Sequence, residues 1–352
     1  MTVPDRRLTN PRAERVRAVR RLASRVGRSR SGLFVAEGPQ AVREAVRAHA
    51  SAPAPGVVVA VYATDRASAR YAVELTAARE AGIDVVAVAD EVLAAMTDTV
   101  TPQGLLAVCR LVDRPLDDVL DEVLGGPDPV GHRARPTLLA VLAHVRDPGN
   151  AGTVLRAADA AGADAVVLTD SSVDVHNPKC VRSTAGSLFH VPVVQGVGLE
   201  HLAEVLTERG VVVLAADGAG DLDLDDLQDR AEADDDALLR RPTAWVFGNE
   251  AWGLAEHERG LAAGVVRVPL HGQAESLNLA AAATVCLYAS ARAHRRRVDG
   301  SATPSDRDRQ RRGSSRYSPV MGTRAGDGTG GLARTAGVAG TTASTGDGNG
   351  DR

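Results

Sequence analysis

The sequence predicts an α/β protein of two units, a small front domain and a larger one built on a mostly parallel sheet covered by helices on both faces. Three observations predict it. From residue 137 onward, short and nearly unbroken apolar runs alternate with stretches of helical spacing, as expected of buried parallel strands joined by helices. Residues 10–111 repeat that alternation on a smaller scale. The cluster Gly125-Gly126-Pro127-Asp128-Pro129 separates the two and reads as a linker. With 352 residues, the chain is also too long for one ordinary core.

In the front unit, Pro11 to Val26 reads as one basic helix, with Val16, Val19, Leu22, Ala23 and Val26 at helical spacing. Gly32 to Ala36 is a strand, and Pro39 to Ala50 a helix opened by proline. Val57 to Tyr62 is a strand, Ser68 to Ala81 a helix stopped by Gly82, and Ile83 to Val88 a further strand. Asp90 caps a short helix through Met96, and Leu105 to Leu111 closes the unit, which spans 1–111. Residues 112–136 hold a short acidic helix and the linker cluster. In the second unit, 137–298, the strands are Thr137–Val145, Ala165–Thr169, Val191–Val194, Val211–Ala216, Ala244–Phe247 and Val265–Pro269. The acidic run Asp217 to Asp236 reads as a solvated loop with a short helix; it lacks the glycine and spacing of a calcium loop. The last helix begins near Leu277 and ends in Arg292, Arg295, Arg296 and Arg297. Residues 299–352 are rich in Gly, Ser, Thr, Asp and Arg and have too little apolar surface to offset ordering entropy, so they are expected to be disordered.

Several classes of function are disfavoured. No apolar run is long enough for a membrane span, and the N-terminus is basic rather than apolar, so a cytoplasmic protein is expected. Cys109, Cys180 and Cys286 are scattered through apolar stretches, which suits buried thiols and argues against zinc. No Walker loop, no G-x-S-x-G elbow and no G-x-G-x-x-G fingerprint occurs. Nucleotide hydrolysis, ester hydrolysis and conventional nicotinamide chemistry therefore fall away. The net charge of −4 conceals an asymmetry: ten arginines precede residue 31 against Asp5 and Glu14, while Lys179 is the chain's one lysine. A basic segment on an acidic protein is the electrostatic footprint of a nucleic-acid binder, with a plainly solvated helix face as the alternative.

Three segments carry the chemistry. Arg146-Asp147-Pro148-Gly149-Asn150 runs on to Arg156; Phe247-Gly248-Asn249-Glu250 precedes Trp252 and Gly253; Glu275-Ser276-Leu277-Asn278 follows Val268-Pro269-Leu270. Each sits where a predicted strand gives way to a loop or helix, and ligands of open α/β sheets bind at such strand ends. Each has a purely structural alternative. Asn150, Glu250 and Ser276 are all acceptable helix caps.

Together these segments resemble the three motifs of the SpoU-type (TrmH-like) RNA 2′-O-ribose methyltransferases of the SPOUT superfamily. Asn177-Pro178-Lys179 with Arg182, Ser183, Gly186 and Ser187 matches the same pattern, over Leu138 to Ala291. Gly32 to Gly38 and Pro102 to Ala107 resemble the small substrate-binding domain often fused to it. The resemblance implies a SPOUT domain with a deep trefoil knot, S-adenosylmethionine as cofactor, and a homodimer that needs no metal. It implies a catalytic group of Asn150, Arg156, Glu250, Ser276 and Asn278. Cofactor contacts would fall on Phe247, Gly248, Asn249, Gly253, Val268, Leu270, Ser276 and Leu277. RNA contacts would fall on Arg12, Arg15, Arg20, Arg21 and Glu37. The reaction implied is methylation of a ribose 2′-hydroxyl, in ribosomal RNA before transfer RNA. A drug-resistance methyltransferase and a catalytically silent RNA-binding protein of the same fold stand as alternatives.

Overall fold

The computed structural model describes residues 7–125 and 136–299. The expectations for the Gly126–Pro129 stretch and for the tail beyond Asp299 lie outside those residues.

The front domain contains helices α1 (Glu14–Arg21) and α2 (Arg25–Ser31), strand β1 (Leu33–Glu37), α3 (Pro39–Ser51), β2 (Val58–Thr64), α4 (Asp65–Arg70), α5 (Ala72–Glu80), β3 (Asp84–Val88), α6 (Asp90–Met96) and β4 (Leu105–Arg110). Its sheet has the order β1-β4-β2-β3, with β4 antiparallel to both neighbours and β2 parallel to β3. The helix expected over Pro11–Val26 is in fact two. The chain breaks at Leu22–Ser24, and the Ser24 side chain accepts from the Gly27 N–H to start α2. The helix expected over Ser68–Ala81 is likewise split, at Tyr71, between α4 and α5. Asp90 opens α6 as its first residue; Ala89 occupies the cap, with no side-chain bond.

The second domain follows α7 (Leu116–Leu124) with β5 (Leu138–Leu142), α8 (Pro148–Ala161), β6 (Ala165–Thr169), α9 (Pro178–Ser183), β7 (Val193–Val197), α10 (Leu199–Glu208), β8 (Val212–Ala216), β9 (Leu222–Asp223), α11 (Leu224–Ala233), β10 (Thr243–Phe247), α12 (Glu256–Arg259), β11 (Gly264–Arg267) and α13 (Leu279–Asp299). All seven strands are parallel, in the order β7-β6-β5-β10-β8-β11-β9. The short acidic helix α7 is part of this core, burying Val119, Leu120 and Val123 against one sheet face. The acidic run differs from expectation. It supplies an edge strand, β9, and a ten-residue helix, α11, that buries Leu224, Leu227 and Ala231, so its apolar minority outweighs its charge. All three thiols are buried, and burial pushes those of Cys180 and Cys286 up to about 12.

Registers place the site. Leu142 pairs with Phe247, Phe247 with Ala216, and Ala216 with Val266. The loops after β5, β10 and β11 thus leave the sheet at one level, on one edge of its layer.

The two domains are joined by buried polar contacts. Arg28 is 2% exposed; its Nε and Nη2 donate to Asp174 Oδ2 at 2.8 and 2.6 Å, and its Nη1 donates to the carbonyls of Leu22 and Ala23. One side chain therefore closes the end of α1 and ties it to the second domain. Burial opposes ionisation of Asp174, but hydrogen bonds from His176 and Arg28 and the Arg28 charge outweigh it, holding the carboxyl far below the usual range.

Candidate active site

The first loop begins with a strained residue. β5 ends at Leu142, short of the Val145 expected, because His144 turns the chain at φ 57°, a region uncommon for a side-chain-bearing residue. Its N–H donates to Thr169 Oγ1, its carbonyl accepts from Asn249 Nδ2 at 2.7 Å, and its Nε2 lies 2.5 Å from Glu258 Oε1. Glu258 Oε2 accepts from the Ala255 N–H, so α12 and the loop after β10 are both fastened to the end of β5.

Asp147 caps α8, accepting from the Asn150 N–H at 2.8 Å, with Pro148 in the first turn. The Lys179 ammonium at 2.7 Å, together with the Asn150 N–H, holds the Asp147 carboxyl below the usual carboxylate range. With the cap position taken, the Asn150 side chain is free for other partners. Its Nδ2 donates to Glu250 Oε1 at 3.1 Å, and its Oδ1 accepts from Asn278 Nδ2 at 3.2 Å. Glu250 also accepts from the backbone N–H groups of Arg146 and Asp147, at 3.4 and 3.3 Å. One chain of bonds, Asn278 to Asn150 to Glu250, thus joins all three loops.

Gly248 and Gly253 make the middle loop possible. Asn249 and Gly253 exchange both backbone hydrogen bonds, and a Cβ on Gly248 would stand 2.5 Å from the Gly253 carbonyl carbon. Gly253 itself has φ 66°. Beside this loop the Arg146 guanidinium covers the Trp252 ring at 4.8 Å. The third loop is open: Val268 to Leu277 make no backbone hydrogen bond to the rest of the described protein. Its N–H and C=O groups are unspent, and Leu270 and Leu277 are exposed beside them.

The expected catalytic residues divide. Asn150, Glu250 and Asn278 come together. Ser276 is exposed two residues away and makes no side-chain hydrogen bond; the helix-cap alternative for it fails, because Asn278 Oδ1 accepts from the Ala280 N–H at the start of α13. Arg156 is exposed on α8 and has no ion pair among the described residues. Among the expected cofactor residues, Phe247 and Asn249 have buried side chains: Phe247 stacks on Trp245 in the core, and Asn249 serves the loop itself, so only their backbone is placed to meet a ligand. Arg146 and Trp252 lie in the quoted motif segments but had no role assigned, and His144 and Glu258 were missed, His144 because it reads as part of the strand Thr137–Val145.

Residues 137–288 match the SpoU rRNA methylase family model, and residues 13–107 match an MRM3-like substrate-binding domain. Over 286 residues the chain is 31% identical to the 23S rRNA (guanosine(2553)-2′-O)-methyltransferase RlmP of Bacillus subtilis, covering 80% of this chain and 98% of that one. The chain belongs to the SpoU rRNA methylase family. It is also 31% identical over 306 residues to the 23S rRNA (uridine(2479)-2′-O)-methyltransferase of Streptomyces viridochromogenes, covering 85% of this chain and 95% of the relative. Its fold matches the AdoMet-bound rRNA methyltransferase of Sinorhizobium meliloti with a TM-score of 0.65 at 26% identity, over 82% of this chain and 97% of that one. The three joined loops all lie in the SpoU domain.

The basic segment of this SpoU-family protein is less uniform than its sequence. Arg12, Arg20 and Arg21 are exposed and have no carboxylate partner among the described residues. Arg15 is engaged, donating to Tyr62 Oη at 2.6 Å and Asp84 Oδ2 at 2.8 Å. Glu37, expected to meet RNA, is buried. Its Oε2 accepts from Thr97 and Thr99 hydroxyls at 2.6 and 2.7 Å and pairs with Arg182 of α9 at 3.4 Å, so it braces the domain junction instead.

Proposed function

We propose that this protein transfers a methyl group from S-adenosylmethionine to a ribose 2′-hydroxyl of ribosomal RNA. The observation that carries the reading is the bond chain Asn278–Asn150–Glu250 at the level where three parallel strands end. In a family of rRNA methylases, that chain falls on the three motif segments themselves. The unspent backbone of 268–277 and the glycine-tightened loop 248–253 suit a nucleoside held largely by main-chain groups. When bound, the cofactor supplies an electrophilic methyl on a sulfonium, so the chemistry calls for no metal.

A hydroxyl is a weak nucleophile, so the chain's own residues must align it and favour negative charge on its oxygen. Arg156 is always protonated and cannot act as a base. Unpaired at the surface, it grips the adjoining phosphate and stabilises the developing charge. Glu250, bonded to two backbone N–H groups and the Asn150 amide, sets the orientation of Asn150. Asn150 and Asn278 then hold the sugar against the methyl donor. Ser276, Leu277, Val268 and Leu270 line the cofactor loop. A homodimer fits the surface of α13, where Val285 and Tyr288 are exposed at 41% and 43%. The reaction puts the protein where ribosomes are made, in the cytoplasm.

Incubation with radiolabelled S-adenosylmethionine and rRNA tests the reading. Label should enter a single 2′-O position, mapped by resistance of the adjoining phosphodiester to alkali. Label in transfer RNA alone would shift the substrate, and no label in any RNA would remove the enzyme.

A further inference from the structure

The break between α1 and α2 opens a cleft of ≈ 540 Å³ against the front-domain sheet, within the range of small-molecule sites. Arg15, Arg21 and Arg30 line it, and among the described residues no carboxylate does. Arg21 and Arg30 have no ion-pair partner among the described residues. Its apolar wall includes Val26 and Val59, exposed at 60% and 40%, with Leu33 and the Tyr62 ring deeper. The cleft is held open from outside the front domain. Arg28 bonds the carbonyls at the break and is itself fixed by Asp174 of the second domain.

We propose that this cleft receives one unpaired nucleobase of the RNA substrate, with Arg21 and Arg30 on the flanking phosphates. An apolar slot rimmed by cations fits a flat, uncharged ring carried on an anionic backbone. Single-stranded RNA presents bases in that form, whereas a paired base is shielded in its stack. The cleft residues, Val108 apart, fall within the stretch matching a substrate-binding domain. The proposal rests on the rRNA reading above and adds where the domain reads RNA. Arg28 connects the occupied cleft to the domain bearing Asn150, so the base docked here fixes the register of the sugar presented there.

The test compares steady-state methyl transfer to rRNA by the full chain and its Val59→Glu, Val26→Glu, Val59→Trp and Arg21→Ala/Arg30→Ala variants. Each should raise KM for RNA about tenfold, near the low end of what one stacked base contributes, with kcat and the Kd for S-adenosylmethionine within about twofold. Val59→Trp should leave the salt dependence of binding intact, whereas the double arginine variant should flatten it by about two phosphate contacts. An RNA KM unchanged in both Val59→Glu and Val26→Glu overturns the proposal. Unchanged KM with altered oligomeric state gives the cleft to a second copy of the chain and overturns it equally. A wild-type protein inert on rRNA refutes the functional reading instead, which separates the two failures.

Discussion

Two polar clusters of this molecule look alike in sequence and differ in what their atoms are doing. At the domain junction, Arg28 and Glu37 are buried and Asp174, Thr97 and Thr99 partly so, and their bonds of 2.6–2.8 Å leave neither the guanidinium nor the carboxylates stranded. At the three-loop site, Glu250 and Asn278 are exposed and their contacts with Asn150 are 3.1 and 3.2 Å; Arg156, further along α8, has no ion-pair partner among the described residues. The first cluster holds the fold together; a polar group buried there must be satisfied. The second is held in geometry while keeping lone pairs and N–H groups in reserve.

The largest test of that contrast is chemical. Arg156→Ala and Asn150→Ala should each lower kcat by about 10²–10³-fold, the cost of removing a group that stabilises transition-state charge. Unfolding free energy should stay within about 0.5 kcal/mol of wild type for Arg156→Ala, since that side chain is exposed and makes no hydrogen bond or ion pair among the described residues. Normal turnover in Arg156→Ala would move that residue to the solvated surface, and a large stability loss would place it with the junction.

The reciprocal variant is Arg28→Ala. It strips the partner from a carboxylate with a 14% exposed side chain and frees two carbonyls at the end of α1, and should cost about 3–5 kcal/mol of stability. Denaturant melts check it. Below the transition, the affinity for S-adenosylmethionine should persist, because Arg28 bonds Asp174, Leu22 and Ala23 and none of the residues of the three loops. Loss of cofactor binding in folded protein would mean that the clusters are one unit.

How much of this was legible in the sequence follows from the same distinction. The strands of the second sheet were readable because parallel strands bury both faces and so appear as plain apolar runs such as Leu138–Leu142. The convergence of the three motifs was readable because strand ends share one level. The break at Leu22–Ser24 was not, since helical spacing continues through Val26 and the side chain that stabilises the break is fixed by Asp174, 146 positions from Arg28. Strand β9 was hidden for a related reason: two residues in an acidic run pair only because β11 offers an edge. The role of Asn150 was ambiguous until Asp147 took the cap, although Asp-Pro before it was a usable signal for where α8 begins. The burial of Glu37 was hidden because sequence shows a charge and not its surroundings.

The smallest effect lies between the two clusters in character. His190 donates to Asp159 of α8 at 2.8 Å and lies 3.4 Å from Glu44 of α3, so it crosses the junction at the surface. Burial works against its charged form, yet the hydrogen bond and charge of Asp159, followed by those of Glu44, raise its pKa above the ordinary histidine value. A raised folded-state value means that the protonated ring stabilises the protein at pH below the unfolded value, and that this contribution is lost as pH rises through the folded one. With the side chain 42% exposed, solvent screening reduces it to the order of a few tenths of a kcal/mol. Wild type should therefore lose slightly more stability than His190→Gln between mildly acidic and mildly basic pH, measured by parallel melts. A wild-type advantage that grows with pH would show the ring to be neutral at the junction, and would make the hydrogen bond rather than the charge the thing that joins α3 to α8.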